Sequence, residues 1–241
     1  MKRRLVVSVI LPLLIAAVGR DANTQSVTVL PACRVGQQAP PVGFWTWAAN
    51  THVRVYVVSA DFTTGQIPYL LAAFQNWNRV SELSGSGVKF EYQGDTRQQL
   101  TCENCLTVMR GTVFDKTRRH ATELKAFSAR HDQIISYAAI VIDPALTNNT
   151  AIMEAVAHEV GHNLGLLDCY TCKTRSTLMN QFKVMNVPNN LAEPTPCDIA
   201  QVREAYRELK IHVRPSPPNR NLIDEGEEAV DDDTPIVIPK P

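Results

Sequence analysis

The alternation of apolar and polar residues along the chain predicts four β-strands. Residues 52–59 alternate valine with polar or larger side chains, which is the period of a strand with one buried face. Residues 88–94 repeat this alternation, and residues 106–114 form a third apolar segment. Residues 134–143 are almost continuously apolar, which is typical of a strand covered on both faces.

Apolar residues at helical spacing predict three helices. The first begins near Pro68 and ends before a pair of glycines, and the second covers about residues 150–164. The third has Thr195 as its N-cap residue, Pro196 at the first helical position and Asp198 in the first turn. Strands and helices in this order predict a single domain of the α/β class.

Both ends of the chain differ in composition from this domain. A basic start, an apolar run of fourteen residues and a small-x-small cleavage site predict a signal peptide over residues 1–19. Such a run is shorter than the ~20 residues that span a bilayer. Residues 20–50 form a polar lead-in, residues 51–213 the folded domain, and residues 214–241 a proline-rich, acidic tail that is predicted to be disordered.

The charge balance gives no reason to expect a nucleic-acid partner. The chain has 24 basic and 24 acidic residues, and the predicted signal peptide carries three of the basic ones and no acid. The mature chain would therefore have a net charge of 21 − 24 = −3, with much of the acid in the tail. We expect protein or peptide substrates as partners, no stable membrane anchor, and a monomer.

Six cysteines in an exported chain indicate disulfides and an oxidising compartment, such as the periplasm, the cell surface or the medium. Six cysteines allow fifteen pairings. Two CxxC pairs, at Cys102 and Cys169, leave other interpretations open. A split zinc ribbon would need a separation of about 15–20 residues, which is much shorter than the one here. A redox motif would need a thioredoxin-like strand and helix around it.

The segment HEVGHNLGLLDC, which begins at His158, contains the candidate chemistry. On a helix, His158 and His162 share one face and can reach one metal ion. At 100° per residue this face lies opposite an apolar stripe, so we expect it to point toward a cleft or solvent. Glu159 is not aligned with the histidines and can reach past the metal to a water molecule. The stripe consists of Ile152, Val156, Val160 and Leu164.

A catalytic zinc site needs three protein ligands and an open position. Gly165 can turn the chain back at the helix end, and Asp168 follows His162 by six residues. Met179, in STLMN, lies eleven residues further on. This pattern, HExxHxxGxxD followed by a methionine, resembles the metzincin metallopeptidases, whose signature is HExxHxxGxxH with a methionine-containing turn.

The resemblance covers most of residues 52–212. AFQNWNRVSELSGSGVKFEY is similar to the first helix and second strand of the matrixin branch, and DIAQVREAYREL to its last helix. Aspartate as the third ligand is similar to the snapalysin-like secreted bacterial proteases. The implied fold is a metzincin-like single α/β domain with a twisted, mixed but mostly parallel sheet. An active-site helix, a first helix packed on the sheet and a C-terminal helix complete it.

The resemblance implies a secreted zinc-dependent endopeptidase. His158, His162 and Asp168 would bind Zn²⁺, Glu159 would act as general base toward metal-activated water, and Met179 would form an apolar floor beneath the metal. The alternative is a non-catalytic zinc-binding protein that retains the fold, although such a protein has no need of Glu159. A gluzincin is a further possibility, but no NExxSD-like segment follows the HExxH motif.

The chain departs from the family in two further ways. No tyrosine closely follows Met179, so the tyrosine that assists catalysis in astacin-like and serralysin-like members has no counterpart. PACRVG around Cys33 is only distantly similar to the matrixin cysteine switch, and a disulfide is the commoner fate of an exported cysteine. We hypothesise that a bridge stiffens the loop that presents Asp168. The hypothesised pairs are Cys169–Cys172, Cys102–Cys105 and Cys33–Cys197.

Overall fold

The structure of the protein is a computed structural model that describes residues 33, 39–43, 45–113, 121–128, 131–173, 175–180, 192–212 and 238–239. The predicted signal peptide and most of the predicted tail lie outside these residues and remain predictions. Within the tail, however, Ile238–Pro239 forms a short strand, so the prediction of disorder is wrong for these two residues. In the part of the chain that the structure describes, no helix is long and apolar enough to cross a bilayer.

The described residues form strands and helices in an alternating order. The strands are β1 His52–Val58, β2 Lys89–Thr96, β3 Cys105–Arg110, β4 Ala121–Ser128, β5 His131–Ile142 and β6 Ile238–Pro239. The helices are α1 Ile67–Ser84, α2 Asn149–Asn163 and α3 Pro196–His212.

All six strands belong to one sheet, in the order β2-β1-β3-β5-β4-β6. β1 pairs in parallel with β2 and β3, and β3 pairs in parallel with β5. β4 is antiparallel to both β5 and β6. The predicted fold class, an α/β domain with a mixed but mostly parallel sheet, is therefore confirmed.

The sequence patterns predicted four of the six strands in the described residues, and they missed β4 and β6. In β1 the buried residues alternate with more exposed ones, as the valine pattern predicts. β5 is a central strand with a strand on each side, and it is buried over most of its length, with α2 in contact with it. β4, which the pattern did not predict, reads ATELKAFS and lacks a period-2 alternation.

The helix ends follow the residue types that begin and end helices. Pro68 lies in the first turn of α1, and Gly85 ends that helix with a φ of 73°. The side chain of Asn148 caps α2 by accepting the amide of Ala151 at 3.0 Å. At α3, Thr195 accepts the Asp198 amide, as the predicted N-cap should.

The core lies where α1 and α2 pack on each other and on the sheet. Trp77 of α1 is 1% exposed, and its indole N–H donates to the Ala157 carbonyl of α2 at 2.8 Å. A buried tryptophan needs such a partner for its one donor. This contact fixes the position of the metal-motif helix relative to α1, and α2 also contacts β4 and β5.

Three disulfides join the cysteines as hypothesised, within each CxxC pair and between the lead-in and α3. The two CxxC pairs close on themselves, so their sulfurs do not form a zinc ribbon. Cys33 is bonded to Cys197, which rules it out as a cysteine switch in this state. The disulfides are compatible with an oxidising compartment.

Candidate metal centre

α2 presents His158 and His162 one turn apart with their rings nearly perpendicular. The Nδ1 atom of His158 lies 2.7 Å from the Leu178 carbonyl, and Nδ1 of His162 lies 2.7 Å from the Leu166 carbonyl. A carbonyl only accepts, so each Nδ1 carries the proton that it donates. Both Nε2 atoms are then lone-pair donors when the rings are neutral, as a metal ligand requires.

Asp168 brings a carboxylate oxygen to the same point. Its Oδ1 atom lies 3.0 Å from Nε2 of His158 and 3.3 Å from Nε2 of His162. The two Nε2 atoms are 3.1 Å apart. Zinc ligands about 2.0–2.1 Å from a tetrahedral ion lie roughly 3.3 Å from one another. The three atoms therefore have the spacing of one face of a zinc coordination tetrahedron.

The charges around the triangle formed by the two Nε2 atoms and Oδ1 of Asp168 also favour a bound cation. Burial raises the pKa of Asp168, but hydrogen bonds and charge interactions with the two histidines lower it by more, so its pKa lies well below the usual value. The carboxylate is therefore ionised. In the absence of a metal, a proton on a histidine Nε2 atom makes the hydrogen bond to this carboxylate, and a bound cation would take the place of that proton between the carboxylate and the imidazole lone pairs.

Glu159 lies on the same helix but outside this triangle. Its carboxylate and the ring nitrogens of His158 and His162 all lie within 4.8 Å of one another. Glu159 is 6% exposed, and among the described residues its carboxylate has no ion pair. Glu159 is thus a buried acid whose carboxylate lies close to the ring nitrogens of both histidines.

Two backbone contacts hold the loop that presents Asp168. Gly165 ends α2 with a φ of 87°, the left-handed conformation expected for it. Its carbonyl accepts the amide of Gly43 at 2.7 Å, and the Leu167 amide donates to the Pro41 carbonyl at 2.9 Å. The lead-in thus packs along the loop and helps to place Asp168.

The same loop is joined to the turn that contains Met179. The Cys169 amide donates to the Met179 carbonyl at 2.8 Å. Met179 is fully buried, and a Cβ added at Gly161 would lie only 2.5 Å from its sulfur. Only glycine at position 161 lets the methionine pack this closely against the metal-motif helix.

The buried carboxylate of Asp198, on α3, accepts hydrogen bonds from the turn that contains Met179. Asp198 accepts the Thr177 hydroxyl and, at 3.0 Å, the Leu178 amide. It also accepts the amide and the hydroxyl of Thr195, each at 2.8 Å. Because the Leu178 carbonyl accepts from His158, Asp198 connects α3 to a candidate ligand through one residue, Leu178. Sequence patterns identified Asp198 only as a first-turn acid.

Lys125 is a second residue whose part in the site the sequence did not reveal. It lies on β4, is 7% exposed, and its ammonium donates to the His162 carbonyl at 2.7 Å. The ring of Trp45 lies 5.9 Å from the same ammonium. A lysine buried in this way is uncommon, and here its charge lies at the C-terminal end of α2, where the helix dipole favours it.

The predicted site residues are therefore brought together, with one correction. The histidines are not open to solvent, since His158 is 8% and His162 1% exposed. The loop after α2 and the methionine turn cover the face opposite the apolar stripe. The stripe itself packs in the core, so α2 is buried nearly all round.

No protein-family model matches the sequence, and no curated protein matches it. Among solved structures, the chain is similar to the GM1-bound form of the ECX AB5 holotoxin. That match has a TM-score of 0.44 and 14% identity, and covers 73% of this chain and 92% of that one.

Two metalloproteinase-related structures are also similar to the chain. Metalloproteinase-II from Bacteroides fragilis has a TM-score of 0.40 and 14% identity, covering 67% of this chain and 54% of that one. The chain thus spans about half the length of that protein. Myroilysin has a TM-score of 0.35 and 11% identity, covering 67% of this chain and 95% of that one. At these scores the function has to be inferred from the geometry of the site.

Proposed function

We propose that the protein is a secreted zinc-dependent endopeptidase of the metzincin type. His158, His162 and Asp168 are the proposed zinc ligands. The observation that supports this most strongly is the triangle of Nε2, Nε2 and Oδ1 atoms with edges of 3.0–3.3 Å. Two imidazoles and one carboxylate are a donor set that suits zinc and leaves a coordination position open.

Glu159 is the proposed general base. When bound, zinc would polarise a water molecule and the scissile carbonyl. Glu159 takes a proton from that water and delivers it to the leaving amine. A buried carboxylate close to the ligands but outside their triangle supports this role, because a structural zinc site has no use for a base. The non-catalytic alternative is therefore less well supported.

The substrate is proposed to be an extended peptide. Of the two sides of the sheet, the β4 side borders the site, because Lys125 of β4 contacts the His162 carbonyl. An extended peptide can add to a sheet edge through backbone hydrogen bonds, which bind it largely without regard to side chains. Such pairing along β4 would bring a peptide bond alongside α2.

The proposal is tested by cleavage of an unfolded protein mixture before chelation, after chelation, and after zinc is added back. We expect cleavage to stop and then return. Glu159→Gln should keep about one zinc per chain and lose cleavage, whereas Glu204→Gln, a change on the outer face of α3, should behave as the parent. Cleavage that survives both chelation and Glu159→Gln would refute the proposal.

A further inference from the structure

The outer side of β4 is occupied by a distant segment of the same chain. Lys125 pairs with Ile238, and Leu124 pairs with Pro239, in antiparallel register. Apart from β6, β4 is the last strand on this side of the described sheet. The pairing therefore takes up backbone groups that any incoming strand would need.

The paired position is directly connected to the candidate metal centre. The residue that faces Ile238 is Lys125, whose ammonium donates to the His162 carbonyl at 2.7 Å. One residue thus has its backbone at the β4–β6 pairing and its side chain at a candidate zinc ligand. A segment that pairs here lies beside the site rather than on a remote part of the sheet.

We propose that the segment around Ile238–Pro239 is an intramolecular occupant of the outer edge of β4 and competes with substrate for that edge. Docking of the segment stands on the observed pairing. Competition with substrate rests, in addition, on the function proposed above.

The chemistry of the segment suits reversible docking. Residues 236–238 are Ile-Val-Ile, and β-branched residues favour extended pairing. Pro239 has no N–H group, so it limits the hydrogen-bond ladder to a short stretch. So short a pairing is weak by itself, and tethering to the same chain supplies an effective concentration on the order of millimolar. The segment can therefore occupy the outer edge of β4 and still be displaced by a substrate peptide.

The test compares three variants with the parent. Deletion of residues 215–241 removes the pairing, and Ile238→Pro should weaken it, because proline cannot donate a backbone N–H group to a strand ladder. Ile223→Pro makes the same chemical change elsewhere in the tail and is the matched control. We expect the first two to lower KM for a peptide substrate by about two- to tenfold with kcat unchanged. Ile223→Pro should leave both constants as in the parent.

A second measurement, amide hydrogen exchange, does not depend on peptidase activity. Amide hydrogen exchange at β4 is compared between the Glu159→Ala protein and the same protein lacking residues 215–241. We expect faster exchange at β4 after deletion, and protection again when the peptide TPIVIPKP is added. Faster exchange after deletion, together with a parent protein that cleaves nothing, would uphold docking and refute the proposed function. A working peptidase in which deletion changes neither exchange nor KM would overturn the inference, as would a change in exchange without a change in KM.

Discussion

Gly161→Ala tests whether Met179 and the metal-motif helix depend on each other. The added Cβ would lie 2.5 Å from the Met179 sulfur and 3.3 Å from Cζ2 of Trp77. Ordinary contact begins at 3.4 Å, so the sulfur or the helix must move by about 0.9 Å. Met179 is fully buried, so its side chain cannot swing into solvent.

The cost of this overlap can be weighed against the gain in helix propensity. Overpacking a core costs about 1–3 kcal/mol, while Gly→Ala inside a helix gains about 1 kcal/mol. The net change is a loss of about 0–2 kcal/mol, or a fall in Tm of up to roughly 8 °C for a domain of this size. The shift would also move His158 and His162, so zinc affinity should fall even if Tm changes little.

Thermal unfolding and titration with a zinc chelator measure the two effects. The same substitution made together with Met179→Ala is the control, because the sulfur is then absent and the helix gain of about 1 kcal/mol should appear. A single Gly161→Ala protein with higher Tm and undiminished zinc affinity would refute the packing argument.

Four other outcomes are expected. Lys125→Met, which keeps the apolar stem but removes the donor to the His162 carbonyl, should cost about 1.5–3 kcal/mol in urea unfolding and weaken zinc binding. Asp198→Asn should lower Tm by several degrees, because an amide cannot accept all four of the donors around the carboxylate. Mild reduction of Cys169–Cys172 should speed zinc loss measured with a chromogenic chelator, while Tm falls little because the closed loop is short. Chelation of the parent should lower Tm by about 8–16 °C if free zinc was about 1,000-fold above Kd.

Local sequence signals predicted the elements whose ends are set by particular residues. Pro68 and Gly85 bound α1, and Thr195 with Asp198 forms the N-terminal cap of α3, because each side chain satisfies or accommodates a backbone group within a few residues. The left-handed turn at Gly165 follows from the same kind of local constraint.

Features that depend on contacts between residues far apart in the sequence could not be predicted from local patterns. β4 has a weak strand pattern, and it forms because β5 offers it an antiparallel partner. From the sequence, Lys125 would be taken as an exposed residue. It is buried because the fold brings the C-terminal end of α2 into contact with its ammonium group. The histidine face looked open because the residues that cover it, the loop and the methionine turn, come later in the chain.

The disulfides illustrate both cases. Cys102–Cys105 and Cys169–Cys172 are local pairs that their spacing suggested. Cys33–Cys197 spans 164 residues and followed only by elimination. In the chain-entropy account, so long a loop is worth about 5 kcal/mol and a CxxC loop about 2 kcal/mol. The long bridge therefore contributes more to stability, and the short one beside Asp168 more to position.

The zinc dissociation constant of Asp168→Ala, compared with that of Glu159→Ala by chelator competition, tests the central claim most directly. If Asp168 is the third ligand, its removal should weaken zinc binding by at least about 100-fold, since even outer-shell partners change affinity by 10- to 100-fold. Glu159→Ala should bind zinc nearly as the parent does. An Asp168→Ala protein that binds zinc as tightly as the parent would contradict the three-ligand centre, and the peptidase proposal would lose its support.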